Sequence, residues 1–215
     1  MSRFAALVGR ELRLALGGGR LWLPPIFFLL VATLFPFAVG PDRALLARVG
    51  GGALWMAALL AALLPVERLV APDAEAGVLD QLAVRGLSVE LVGAAKLLAH
   101  WLAFGPPLML ATLPGAAFLG LAGDRFWRLE GSLALGTPGL AALGLATAAL
   151  TAGLRGAGAL AGLLLLPCAV PILIFGAAMA GGTGPGAARL LAATSLALVA
   201  AAPFVVGAAL RAGRE

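Results

Sequence analysis

Apolar runs of about twenty residues alternate with short polar breaks along this chain, which is the length a helix needs to cross a bilayer. The first run, 21–39, opens at Pro24-Pro25, which suits a helix start, and closes at Gly40-Pro41. The second, 44–65, carries Arg48 near one end, where its guanidinium can snorkel to the interface. The third, 93–121, has Lys96 and His100 in its first turns and Pro106-Pro107 as an expected kink. The remaining runs are 131–153, 157–180 and 187–210. The pattern predicts an all-α, polytopic membrane protein with six transmembrane helices in one domain, 1–215.

Two polar segments have patterns of their own. At about 100° per residue, Phe4, Val8, Leu12, Ala15 and Leu16 share one arc of a helical wheel, and Arg3, Arg10 and Arg13 share another. This predicts an amphipathic helix lying in the interface within 1–20, ended at Gly17-Gly18-Gly19. Leu7 and Leu14 fall on the arginine arc, which leaves a merely anchoring basic tail as the alternative. Between the second and third runs, 66–92 is the only polar stretch long enough to fold. Val78, Leu79 and Leu82 can share the apolar side of a short helix while Asp80 and Gln81 face water, a form that suits docking into a partner's groove. A solvated connector is the alternative. Ser88 is placed to cap the helix of the third run.

Composition narrows the classes. The chain is 62% hydrophobic and 12% charged, against roughly 45–50% and 25% for a soluble domain, which excludes a soluble globule and a disordered chain. One cysteine excludes a disulfide scaffold. The net charge of +5 comes without a Lys/Arg run interleaved with aromatics, so nucleic acid is not an expected partner; membrane lipid is. The basic residues sit instead at the ends of apolar runs, where they report sidedness. Arg3, Arg10, Arg13, Arg20, Arg68, Arg85, Lys96, Arg155, Arg211 and Arg214 fall on one side, and Arg43, Arg48, Arg125, Arg128 and Arg189 on the other. Ten against five predicts cytoplasmic termini and a cytoplasmic 66–92 segment. No A-x-A site follows the first run, which therefore reads as an uncleaved helix.

The 66–92 segment contains E-R-x-x-x-x-D-x-x-x-G-x-L-[DE]-Q-L, formed by Glu67, Arg68, Asp73, Gly77, Leu79, Asp80, Gln81 and Leu82. This motif, behind an amphipathic helix and two spans and ahead of four more, resembles the haem exporter protein B (CcmB) family, the permease subunit of the c-type cytochrome maturation system. Segments 33–41, 45–48, 95–101, 135–138, 149–155, 166–167, 171–176 and 202–204 also resemble family segments, so the likeness covers nearly the whole chain. It implies an ABC-2-like permease in the bacterial inner membrane, paired as a homodimer through its first and fifth spans. It also implies an ATPase on a separate chain and haem-handling membrane proteins as partners. The eight motif residues would then be the partner-coupling set, through which ATP hydrolysis tilts the spans.

The chain's own chemistry is sparse. G-x-x-x-x-G-K-[ST] is absent and the only lysine, Lys96, lies in V-G-A-A-K-L, so ATP is expected in the partner and no enzymatic activity here. Candidate iron ligands reduce to His100, Cys168, Met56, Met109 and Met179, with no Tyr and no C-x-x-C-H. No tightly bound haem or metal is expected; haem enters as a possible substrate, with this subunit a moving wall. Lys96, His100 and Trp101 are the candidate intramembrane functional residues, His100 as an interfacial hydrogen-bonding side chain rather than a ligand. Gly158 with Gly162, and Gly176 with Ala180, suggest close helix packing, ordinary intrachain packing first. The rivals are an exporter of lipid, polysaccharide or drug, a passive scaffold, and an intramembrane enzyme. The last lacks a mid-span carboxylate beside Thr33, Thr112, Thr137, Thr147, Thr151 and Ser195.

Overall fold

The computed structural model describes residues 3–17, 22–154, 157–182 and 184–212; Arg20, Arg155, Arg214 and the Gly18-Gly19 part of the expected hinge lie outside them. In hydrocarbon, only a helix or a closed barrel satisfies each backbone donor and acceptor, and the described residues take the helical solution, with no strand among them. In chain order they form α1 (Arg3–Gly17), α2 (Leu23–Val39) and α3 (Arg43–Leu63). A connector follows, made of a 3-10 turn (Val66–Arg68), α4 (Ala71–Glu75) and α5 (Val78–Val84). The long helices α6 (Val89–Phe118), α7 (Asp124–Thr151), α8 (Ala157–Gly181) and α9 (Pro185–Ala212) complete the chain.

Five helices, α3, α6, α7, α8 and α9, are long and apolar enough to cross a membrane. The expected first span shortens to the 17 residues of α2, about 26 Å at the helical rise against a hydrocarbon core of about 30 Å. Elsewhere the helices outrun their apolar runs. α6 starts at Val89 rather than 93, because Ser88 Oγ accepts from Leu91 N at 3.2 Å. α7 starts at Asp124 rather than 131, so Arg125, Arg128 and Glu130 are helical. α6 remains one helix through Pro106 and Pro107. α3 is capped by Asp42, whose side chain accepts from Ala44 N and Leu45 N at 2.9 and 3.1 Å.

α7 is the central helix. Of its most apolar window 72% is buried, against 28% for α8 and for α9. Glycines let its neighbours approach: a Cβ at Gly136 would overlap the Trp55 ring, as would one at Gly176 of α8. Trp55 is fully buried, and its indole N–H donates to Ser132 Oγ at 2.8 Å, so its one polar atom is satisfied inside the bundle. Gly51 of α3 faces Ala180 of α8, where an added Cβ would lie 3.1 Å from the alanine methyl. Gly176 and Ala180 thus serve packing within the chain. Gly158 meets the Glu67 carboxylate, while a Cβ at Gly162 would meet nothing within 4 Å, so the G-x-x-x-G pair is not one contact surface.

Candidate functional site

α1 packs along α6 and buries Leu7, one of the two leucines that interrupt its arginine arc. One turn on from Leu7, that inward face presents Arg10 and Glu11 to the connector and to α6. Asp73 of α4 lies between them. Arg10 grips it with both terminal nitrogens, Nη2 to Oδ1 at 2.7 Å and Nη1 to Oδ2 at 3.1 Å. Lys96 Nζ of α6 donates to Asp73 Oδ2 at 2.5 Å and to Glu11 Oε2 at 3.0 Å, and Arg10 also pairs with Glu11. Two cations and two anions from α1, α4 and α6 therefore close into a locally neutral cluster, with the Lys96 side chain only 6% exposed.

Burial works against the ionised Asp73 carboxyl, but hydrogen bonds from Arg10 and Lys96, with their charges, outweigh it and hold the group down at about 2. Asp73 belongs to the connector, outside the spanning helices. Its hydrogen bond raises the Arg10 guanidinium above its ordinary range. Ionic contacts this well shielded are costly to break from one side, because the remaining charge stays buried without its partner.

The cluster forms one wall of a cavity of about 410 Å³ between α1, the start of α2, the connector and α6. Leu14, Leu23, Leu64 and Phe104 supply apolar walls; Glu67 and Arg68 lie at its polar side, both exposed. His100 also lines it, but the ring is 7% exposed and stacks on Phe104 with centroids 6.0 Å apart. Its Nε2 has no hydrogen-bond partner among the described residues, and a Cβ on Gly144 of α7 would lie 3.6 Å away. His100 is therefore not the interfacial hydrogen-bonding residue expected; Phe104 and α7 enclose it one turn beyond Lys96. Trp101 points its indole N–H to Thr137 Oγ1 of α7 at 3.2 Å, tying α6 to the central helix.

The other motif residues occupy the connector. Gly77 separates α4 from α5 at φ 67°, a left-handed turn that a side chain would strain. Leu79 is buried and Leu82 half-buried, while Asp80 and Gln81 are exposed on the far side, as the short amphipathic helix predicted. Val84, which the motif omits, is 89% exposed on α5. At the opposite end of α6, Glu130 of α7 accepts from the buried Thr112 hydroxyl. That places one carboxylate inside a long helix where the apolar runs implied none. No group of three His, Cys, Asp or Glu side chains able to hold a metal occurs among the described residues.

These features define a polytopic helical membrane protein with a folded polar connector bolted to its first and sixth helices. The chain belongs to the CcmB family, whose model, described as CcmB protein, matches residues 2–213. It is 47% identical over 212 residues to Heme exporter protein B of Rhodobacter capsulatus, covering 96% of this chain and 97% of that one. It is 48% identical to Heme exporter protein B of Paracoccus denitrificans over the same length and shares. A third relative, Heme exporter protein B of Haemophilus influenzae, is 41% identical over 214 residues, 97% of each chain.

Proposed function

We propose that this chain is the permease subunit of an ATP-driven exporter in the bacterial inner membrane that serves c-type cytochrome biogenesis, exporting haem or freeing a haem-loaded chaperone. The observation that carries the reading is family membership over residues 2–213, with relatives named Heme exporter protein B matched over 97% of their length. In this reading the termini and the connector are cytoplasmic and a separate ATPase docks on the connector. The exposed side of α5, with Asp80, Gln81 and Val84, is the surface the ATPase meets. The bidentate grip on Asp73 passes the displacement to α1 and α6. Two copies pair through the outer faces of α2 and α8, where Ile26, Leu30, Leu163 and Ile174 are exposed. Haem is substrate, held tightly by other haem-handling subunits rather than by this chain.

The test is ATP-dependent haem release by the purified complex with Asp80→Lys in this chain. Reversing a charge on the docking side should abolish coupling while the complex still assembles. Release at the wild-type rate per ATP hydrolysed would reject the coupling role of the connector.

A further inference from the structure

At the end of the bundle away from the connector, a second pocket of about 150 Å³ lies between α3, α7 and α8. Arg48 of α3 and Arg125 of α7 line it together with Gly51, Gly52, Leu121 and Ala180, with no carboxylate among the described residues of its wall. Neither arginine makes an ion pair among the described residues. Snorkelling accounts for one arginine near the end of one span. It does not by itself bring two, from different helices, onto one concavity; both are exposed, so water screens their repulsion and leaves them open to a ligand. Asp124, next to Arg125 in sequence, is already engaged: its Oδ2 accepts from Arg128 Nη1 at 2.5 Å, and among the described residues the buried Arg128 Nε, beside Gly182, has no partner. Gly52 keeps the space open, since a Cβ there would meet nothing within 4 Å.

We propose that Arg48 and Arg125 form a binding site for the carboxylate or phosphate group of an amphiphile at this end of the membrane domain. Guanidinium forks match both anions in charge and geometry. The pocket has room for one such group and a few waters at roughly 30 Å³ each, with the apolar part of the ligand left to the surrounding bilayer. Two sources carry that chemistry: the propionates of haem, a choice that rests on the proposed export role, and the headgroup of an anionic lipid, which does not.

The experiment uses the full chain in phosphatidylcholine nanodiscs, titrated with haem and with haem dimethyl ester, whose carboxylates are capped. In parallel, native mass spectrometry compares retention of phosphatidylglycerol and phosphatidylcholine. The variants are R48Q/R125Q and Gly52→Leu, which keeps both charges but fills the pocket; circular dichroism melts confirm that each is folded. At least one anionic probe should lose roughly tenfold of its preference over its neutral counterpart in both variants. Loss with haem assigns the site to propionates, and loss with phosphatidylglycerol alone assigns it to a lipid headgroup. Preferences that survive R48Q/R125Q, or that Gly52→Leu leaves intact, overturn the site. Such a failure leaves ATP-dependent haem release untouched, so it is distinguishable from failure of the export reading.

Discussion

At the connector end Arg10 and Lys96 reach Asp73 and Glu11 within 3.1 Å, whereas at the far end Arg48 and Arg125 share a pocket with no carboxylate among the described residues of its wall. α6 separates the two, with Lys96 in its second turn and Leu121 of the far pocket just past its end. Charges matched inside the chain make a joint that holds without outside help, and they join the one folded connector to the spans. Unmatched charges gain little for the fold and remain available to something that arrives. The difference separates a mechanical site from a binding site by electrostatic bookkeeping alone, and substitutions can test it directly.

The largest expected contrast is between Asp73→Ala and Arg48→Gln. Removing Asp73 takes three hydrogen bonds from Arg10 and Lys96 and leaves the buried Lys96 with Glu11 alone. Breaking such a cluster from one side costs about 3–5 kcal/mol. Arg48→Gln removes a charge that has no ion-pair partner among the described residues, and its effect should stay within about 0.5 kcal/mol. Denaturant unfolding of both variants in the same detergent measures the gap, and equal losses would erase the distinction between the two ends.

Acid gives a second, smaller handle on the same joint. The folded Asp73 carboxyl is held at about 2, below its ordinary value of 3.8, so its contribution to stability is present above the ordinary value. That contribution is lost as pH falls from about 4 toward 2. Melting temperatures of wild type and Asp73→Asn should therefore lie apart at pH 5 and converge through about pH 4 to 2. A gap that stays constant would place the stabilising contact elsewhere.

Much of the architecture is legible in the sequence. Hydropathy located the long helices, Ser88 its cap, and the 78–82 pattern the orientation of α5. What hydropathy marks is the apolar window rather than the helix, so the fourth apolar run opens seven residues inside α7 and leaves Glu130 unmarked. The joint was only half visible. The motif marks Asp73 as a docking residue and the third apolar run marks Lys96 as an intramembrane candidate, but Arg10 and Glu11 lie 63 and 85 positions from their partners. A pairing at that separation leaves no periodic trace. The available signal was Leu7 on the arginine arc: a leucine there is unfavourable if that arc faces water, and correct if it faces α6.

The smallest effect concerns Gly52 and has the opposite sign. A glycine inside a helix costs about 0.5–1 kcal/mol relative to alanine, so one kept where a methyl would fit needs a reason other than packing. At Gly136 the reason is Trp55, which a Cβ would overlap; at Gly52 a Cβ meets nothing within 4 Å. Gly52→Ala should therefore raise stability by about 0.5 kcal/mol or more, read from denaturant unfolding, while Gly136→Ala lowers it. If Gly52→Ala destabilises instead, the far pocket is filled in the folded protein. Its two arginines would then be packed into the structure rather than open to a ligand.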